Sequence, residues 1–177
     1  MLPDPIHPAI VHFPIVLSAL LPVVVAAALL LARRGTPVRT TWLAVVGATA
    51  LLAGSTWLAV ETGEDQEERV EDVVGEGPMG KHAGRADKFF WLVGGTLILT
   101  AAGLAKGRLG QAGRVAGTVG ALALLPAGFL VGHSGGELVY KYGAARAYVS
   151  TADGKAGKPA QAGETSREQG GGKDDRE

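Results

Sequence analysis

The sequence predicts an all-α protein, a four-helix transmembrane bundle with a short acidic external loop segment and a disordered C-terminal tail. Hydrophobic residues make up 47% of the 177 positions, and they are collected into blocks of about 17 to 24 residues, close to the length that crosses a bilayer core. The 17 basic and 17 acidic residues lie mostly between these blocks or in the tail. A soluble chain would distribute its apolar residues at shorter intervals, so we expect the lipid bilayer as the main partner.

The composition also excludes several classes of function. There is no cysteine, which rules out disulfides, thiolate metal sites and cysteine nucleophiles. The formal net charge is zero, so the basic surface of a nucleic-acid-binding protein is missing. No nucleophile motif, phosphate loop or dinucleotide fingerprint is present. We therefore expect a binding role and no catalytic activity of its own.

The first transmembrane helix is predicted over residues 8–32. Pro8 suits the first turn of a helix, while Pro14 and Pro22 should bend it because each removes a backbone hydrogen bond. The apolar run exceeds the length of a signal peptide, and the residues before it contain Asp4 and no basic residue. We therefore expect a retained transmembrane helix and no cleaved signal.

The second helix is predicted over residues 41–60. Gly47, Ala50 and Gly54 recur at helical spacing, a pattern of small residues that lets helices approach closely in lipid. Trp42 and Trp57 lie near the two ends of this helix. Both are expected at the membrane interface, where tryptophan is enriched.

The second half of the chain supplies the other two helices. Residues 61–88 form an acidic segment that includes a short surface helix within 63–74, followed by glycines and a proline that should break it. The third helix is predicted over 89–105, and the fourth, rich in glycine and alanine, over 115–132 in the interior of the bundle. Residues 1–149 thus form one transmembrane domain, and the polar residues 150–177 form a disordered tail.

The charges of the connecting segments predict the orientation. The loops after the first and third helices each contain three basic residues and no acidic residue, which is typical of cytoplasmic loops. Both termini and the acidic segment are then external, in a multi-pass protein of the bacterial inner (plasma) membrane. In this topology all four histidines and one carboxylate lie in a single external layer: His7, His12, Glu61, His82 and His133.

Several motifs resemble an uncharacterised bacterial family of membrane proteins, domain of unknown function 2231. They are His7-Pro8-x-x-Val11-His12-Phe13-Pro14, Thr62-Gly63, the single His82, and Gly135-Gly136-x-Leu138-Val139-Tyr140. The resemblance covers roughly residues 5 to 145. It implies a four-helix integral membrane protein with histidines at these places, and it implies no particular activity.

The histidines are the candidate site. Imidazole binds haem iron, copper and zinc, and helical bundles build such sites from facing helices. We predict haem b as the cofactor, with His12 and His133 as axial ligands, His82 as the alternate ligand, and a redox partner at the external face. His7 and His12 are five residues apart, so on a helix they point about 140° away from each other.

Three other interpretations stay open. A transition metal other than haem iron could be held by His7, His12, His82 and His133 together with Glu61. The histidines could instead be structural, with no cofactor bound, in a scaffold or accessory subunit. A role in metal-ion handling or transport is the third, although transporters usually place ionisable groups near the midplane of the membrane.

Overall fold

The computed structural model describes residues 6–149, and this part of the chain is helical throughout, without strands. The helices are α1 (His7–Ile10), α2 (His12–Arg33), α3 (Val38–Glu64), α4 (Glu67–Val74), α5 (Glu76–Ala102) and α6 (Gly107–Tyr140), followed by a 3-10 turn (Ala144–Tyr148). The predicted all-α class is confirmed. The predicted disordered tail, 150–177, lies outside the described residues.

The long helices extend beyond the apolar blocks that predicted them. α3 continues to Glu64, α5 begins at Glu76 instead of near Phe89, and α6 runs from Gly107 to Tyr140. Polar residues can continue a helix outside the bilayer, where water satisfies their side chains, so hydropathy marks only the apolar part of each helix. The acidic segment is therefore mostly helical, and its main break is at Gly75, whose φ of +84° is the left-handed conformation that favours glycine.

Three helices of the described chain are long and apolar enough to cross a membrane: His7–Arg33, Val38–Glu64 and Gly107–Tyr140. The first of these includes the short turn at Val11 that separates α1 from α2. α5 is as long as α3, but its first half is rich in charged residues and glycine, and only its second half is apolar.

The four long helices pack as a closed ring in which α2 contacts α3, α3 contacts α5, α5 contacts α6, and α6 contacts α2. The side chains that point into the ring form one apolar core. Its most deeply buried members include Leu21, Val45, Leu52, Val93 and Leu124. The core holds the helix ends in fixed positions, and this determines which polar residues meet there.

Glycines on α6 bring it close to α5. Of the two described next, Gly117 lies within the predicted fourth helix, 115–132, and Gly113 lies in the part of α6 that precedes it. A Cβ atom added at Gly113 would lie 2.5 Å from the backbone nitrogen of Gly103, and one added at Gly117 would lie 2.8 Å from the Thr100 Cγ2 atom. Side chains at these positions would keep the two helices apart. The glycines of α6 therefore set the α5–α6 distance.

The small residues of α3 behave differently from the prediction. Gly47, Ala50 and Gly54 lie on the outer surface of the ring, and a Cβ atom at either glycine would meet nothing within 4 Å. Within residues 6–149 this pattern of small residues therefore marks no close contact between helices of the chain. The three small residues do recur at helical spacing. The opposite face of α3, which carries larger apolar side chains, packs into the core instead.

The prediction for Trp42 also needs correction. This residue is 1% exposed, and its Nε1–H donates a hydrogen bond of 2.8 Å to the Thr100 carbonyl oxygen. Its ring occupies the space that Gly103 leaves free. Trp42 is thus a core residue that joins the start of α3 to the end of α5, whereas Trp57 is 52% exposed on the outer surface.

The helices form two hairpins with the same design. Hairpin one comprises α1, α2 and α3, hairpin two comprises α5 and α6, and α4 connects them. Exchanging the hairpins leaves the contacts of the ring unchanged, because α3 packs on α5 just as α6 packs on α2. An approximate two-fold axis parallel to the long helices therefore relates the two hairpins.

The burial pattern supports this relation. Counted from His7 and from His82, the buried positions coincide: Pro14, Ser18, Leu21, Val25 and Ala28 in hairpin one, and Phe89, Val93, Thr96, Thr100 and Gly103 in hairpin two. Counted from Thr62 and from Ser134, five buried positions of the second helices also coincide: Thr41, Val45, Thr49, Leu52 and Thr56, and Gly113, Gly117, Ala121, Leu124 and Gly128. The residue types differ, but the faces turned inward are equivalent.

Candidate functional site: a pair of histidines

The first histidine of the site belongs to hairpin one. His7 is the first residue of α1, and its Nδ1 atom lies 3.3 Å from the Thr62 hydroxyl in the last turn of α3. Its ring also interacts with the backbone at Ala59, and the side chain is half-buried. The bond joins the beginning and the end of the hairpin across 55 residues of sequence.

The second histidine repeats this arrangement in hairpin two. The Nδ1 atom of His82, in α5, lies 3.0 Å from the hydroxyl of Ser134 in α6. Ser134 is buried, and His82 is half-buried beside it. The ring of His82 also interacts with the backbone at Val131, the position that corresponds to Ala59 in hairpin one. The end of the ring that carries His7 and His82 is called the histidine end below.

The hydroxyl groups influence which nitrogen of each imidazole carries the proton. Thr62 donates its hydroxyl hydrogen to the Leu58 carbonyl oxygen at 2.8 Å, and Ser134 donates to the Val131 carbonyl oxygen at 2.9 Å. A hydroxyl has a single hydrogen, so toward the imidazole each one acts as an acceptor. This arrangement favours the tautomer of each neutral ring that carries the hydrogen on Nδ1 and the lone pair on Nε2.

A glycine follows each hydroxyl residue, and the histidine ring packs on it. A Cβ atom at Gly63 would lie 3.0 Å from the His7 Cε1 atom, and one at Gly135 would lie 3.2 Å from the His82 Cε1 atom. Both distances are shorter than ordinary contacts between carbon atoms. The absence of a side chain at these two positions lets the rings lie against the helix backbone.

Burial is the main cause of a low pKa at His82. It lowers the pKa of the His82 imidazole below its ordinary value of 6.5, and the positive charges of His7 and Arg85 lower it further, while the hydrogen bond with the backbone at Val131 raises it. The neutral imidazole is the form that binds metals, and a lowered pKa widens the pH range in which His82 is neutral.

The structure places the other predicted site residues on the outer surface. His12, His133 and Glu61 are all exposed. The His133 ring stacks on Phe129, with ring centroids 6.0 Å apart and ring planes inclined by 6°. The expected difference in direction between His7 and His12 is visible, since His7 is turned toward α3 and His12 away from the ring. The four histidines therefore separate into an inner pair and two outer residues.

Both predicted ligand sets contain inner and outer histidines, so this separation divides both of them. Within residues 6–149, no three His, Asp or Glu side chains are grouped so that they could hold a metal ion. The structure turns His7 and His82 inward, one from each hairpin, whereas the sequence analysis preferred His12 with His133. The residues that sequence reasoning missed are Thr62 and Ser134, the hydroxyl partners of the inner pair.

A repeated motif in the sequence could have identified these partners. Thr62-Gly63-Glu64 and Ser134-Gly135-Gly136-Glu137 each combine a hydroxyl residue, glycine and glutamate. They follow their histidines after 55 and 52 residues, respectively. Two similar histidine-to-hydroxyl spacings in one chain indicate an internal repeat of the hairpin, and hence a pair of equivalent histidines.

The connecting segments pack together at the histidine end. The Tyr148 hydroxyl in the 3-10 turn donates a hydrogen bond of 2.7 Å to the Gln66 side chain, and Arg69 of α4 lies over the Tyr148 ring. A small apolar cluster beneath them contains Val74, Met79, Leu138 and Ala144. This second core fixes α4 between the two hairpins, beside the paired histidines.

Comparison with known proteins gives one result. A family model with the description "Predicted membrane protein (DUF2231)" matches residues 3–147, a segment that includes all four histidines and both hydroxyl partners. No curated protein and no solved structure matches the chain. The resemblance found from the sequence motifs is thereby confirmed. The family description states a membrane location and no activity, so a proposal for function depends on the geometry of the paired histidines.

Proposed function

The chain belongs to the DUF2231 family of predicted membrane proteins, and from the geometry of its inner histidines we propose that it binds haem b, or another redox-active metal, for electron transfer at the external membrane face. His7 and His82 would be the ligands, one from each hairpin. The observation that carries the proposal is the pair of matching contacts of Nδ1 with the Thr62 and Ser134 hydroxyls, which favour the tautomer with the lone pair on Nε2.

The hydrogen bonds of this pair are typical of metal-binding histidines. A ligating imidazole usually donates the hydrogen of its second nitrogen to a neighbouring group, which fixes the ring orientation and raises the basicity of the ligating nitrogen. In this chain Thr62 and Ser134 are those neighbours. Their own hydrogen bonds to the helix backbone hold them in place.

The number of ligands favours haem over a tetrahedral metal site. Zinc sites in proteins use three or four protein ligands, and the described part of the chain offers two inner imidazoles without a third partner. Two histidines complete the axial coordination of a haem iron. When bound, haem supplies one-electron redox chemistry, and the protein supplies ligands, orientation and a low-dielectric surrounding.

The membrane topology supports a site that lies at one surface of the membrane. We propose that the apolar second half of α5 crosses the bilayer with the three other long helices, giving a four-helix transmembrane bundle. The basic loops around Arg33–Arg39 and Lys106–Arg108 lie at the end of the ring opposite the histidines, where Trp42 bonds to Thr100. If those loops are cytoplasmic, the histidine end and both termini face outward from the inner membrane, accessible to an external redox partner.

One alternative has an observation in its favour. The histidines pack directly on Gly63 and Gly135 and join the ends of each hairpin, so they could stabilise a scaffold or accessory subunit without binding a cofactor. In that case their hydrogen bonds would be purely structural. Replacement of either histidine would then destabilise the fold, and the protein would carry no chromophore or metal.

The first experiment separates these two functions. The protein is expressed with added haem precursor, purified in mild detergent, and examined by absorption spectroscopy in the oxidised and dithionite-reduced states, with metal analysis of the same sample. A Soret band that disappears in His7→Ala and His82→Ala, and persists in the outer controls His12→Ala and His133→Ala, is the expected result. A colourless, metal-free wild-type protein would contradict the proposal and favour the scaffold. Loss of the band only in the outer variants would return the ligands to His12 and His133.

A further inference from the structure

We infer that Arg85 binds an anionic group of the ligand held by the paired histidines, and that this ligand therefore carries a carboxylate. The inference rests on the proposed function and specifies the chemistry of what is bound. Three observations support it: Arg85 lies close to His82 on α5, no acidic side chain among residues 6–149 forms an ion pair with it, and the corresponding position of hairpin one carries no basic residue.

Arg85 lies beside His82 on the same side of α5. The two residues are three positions apart, a spacing that places side chains next to each other on a helix. Arg85 is half-buried, and its Nη1 atom donates a long hydrogen bond of 3.4 Å to the Leu130 carbonyl oxygen on α6. Leu130 is one turn before Ser134, so the guanidinium spans the same contact between α5 and α6 as the His82–Ser134 pair.

The charge of Arg85 is not balanced by a carboxylate of the described chain. The ion pairs at this end of α5 and α6 join Glu137 to Lys81 and to Lys141, at 3.9 Å each. A guanidinium has five N–H donors, and the weak bond to Leu130 uses one of them. The remaining donors can bind an anion beside the histidines.

Hairpin one shows that the fold does not require a cation at this place. Counted from the histidine, the position of Arg85 in hairpin two corresponds to Ile10 in hairpin one, which is also half-buried. An apolar residue satisfies the packing at the equivalent position. Arg85 is thus a chemical difference between the two halves of the site, which share the histidine, the hydroxyl residue and the glycine.

A fixed positive charge next to the histidines selects among ligands. It repels a bare divalent cation, because like charges a few ångströms apart repel each other even at the protein surface, where the Arg85 hydrogen bond to Leu130 lies. It favours a metal-containing ligand that carries its own anionic groups, and the two propionate carboxylates of haem b meet this requirement. Arginine binds carboxylates with two parallel hydrogen bonds.

The test compares haem b with haem dimethyl ester, which has the same iron and ring but no free carboxylates. Protein purified without haem is titrated with each compound in detergent, and binding is followed by the Soret band. The wild type is expected to bind haem b about 10- to 100-fold more tightly than the ester, the range for hydrogen bonds to charged groups. Arg85→Gln should remove this preference by weakening haem b binding alone, and Arg85→Lys should retain part of it, since lysine keeps the charge without the planar donor pair.

Lys88→Gln is the matched control, because it removes an exposed positive charge one turn further along α5. It should keep the full preference for haem b. Circular dichroism of each variant checks that the helices have formed. If Arg85→Gln does not fold, the comparison of the two compounds in the wild type and in Arg85→Lys still decides the question.

The outcomes distinguish this inference from the proposed function. A wild-type protein that binds neither compound overturns both. A wild type that binds both equally well overturns only the inference about Arg85 and leaves the paired histidines as ligands.

The other source of an anion is a lipid headgroup. If Arg85→Gln keeps the preference for haem b but loses a stabilisation by vesicles containing phosphatidylglycerol, the anion bound by Arg85 is a lipid phosphate and the inference is wrong.

Discussion

Substitution of Gly113 by alanine is expected to destabilise the protein through the contact between α5 and α6. The new Cβ atom would lie 2.5 Å from the Gly103 backbone nitrogen and 2.6 Å from the Ala102 carbonyl carbon. Carbon atoms in contact prefer a separation of about 3.5–4.0 Å, so the helices must move apart by about 1 Å. Because the obstacle is backbone, rotation of a side chain cannot relieve it. Overpacking of this kind costs about 1–3 kcal/mol.

Gly47→Ala is the matched control for this substitution. Gly47 also lies inside a long helix, but a Cβ atom there would meet nothing within 4 Å. Both variants gain the same helix propensity, up to about 1 kcal/mol, so the difference between them isolates the cost of packing. For a chain of this size, 1 kcal/mol corresponds to about 2–4 °C in melting temperature.

The assay is thermal or denaturant-induced unfolding in detergent, followed by circular dichroism. Gly113→Ala is expected to melt about 2–12 °C below Gly47→Ala, from the packing cost and the conversion above. Equal melting temperatures for the two variants would refute the reasoning, since they would show that α5 and α6 do not approach each other closely at Gly113.

Three further predictions concern single side chains. Trp42→Phe removes a buried indole donor and should cost about 1–3 kcal/mol in unfolding free energy, while the exposed control Trp57→Phe should leave it nearly unchanged. Because the pKa of His82 is below 6.5 in the folded protein, the unfolded chain binds protons more readily, so stability should fall as the pH drops below 6.5. Melting temperatures measured between pH 8 and pH 5 should show this fall in the ligand-free wild type and less of it in His82→Gln. Thr62→Val and Ser134→Ala should each weaken haem binding by about 10- to 100-fold, because they remove the groups that orient the ligands; unchanged haem titrations in folded variants would contradict this role.

Some features followed from the sequence because they depend on one-dimensional patterns. The apolar blocks indicated a membrane protein, because the bilayer selects on average hydropathy over about 20 residues. The glycine- and alanine-rich fourth helix was predicted in the interior of the bundle, and its Gly117 lies against Thr100 of α5. Gly113, which also meets α5, lies outside the predicted bounds 115–132. The family motifs around His7 and His82 identified the family that the comparison confirmed.

Other features could not be predicted because they depend on which face of each helix meets a neighbour. Small residues at helical spacing occur on α3 and on α6, but only those of α6 turned inward. Trp42 has the amphipathic side chain of an interfacial residue and yet is buried, because Gly103 leaves space for its ring and Thr100 offers an acceptor. Hydropathy does not distinguish these cases, since apolar side chains are equally acceptable in the core and against lipid.

The paired histidines illustrate the same limit at the site. The sequence by itself determined that the chain is a helical membrane protein. It also predicted the four histidines at helix ends, but His82 and His133 lie inside α5 and α6, about two turns from the nearer end. Only the tertiary structure decided that His7 and His82 turn inward to Thr62 and Ser134 while His12 turns outward. The physical reason is that a hydrogen bond between helices needs two side chains at the same height and facing each other, and both conditions are set by how the hairpins pack.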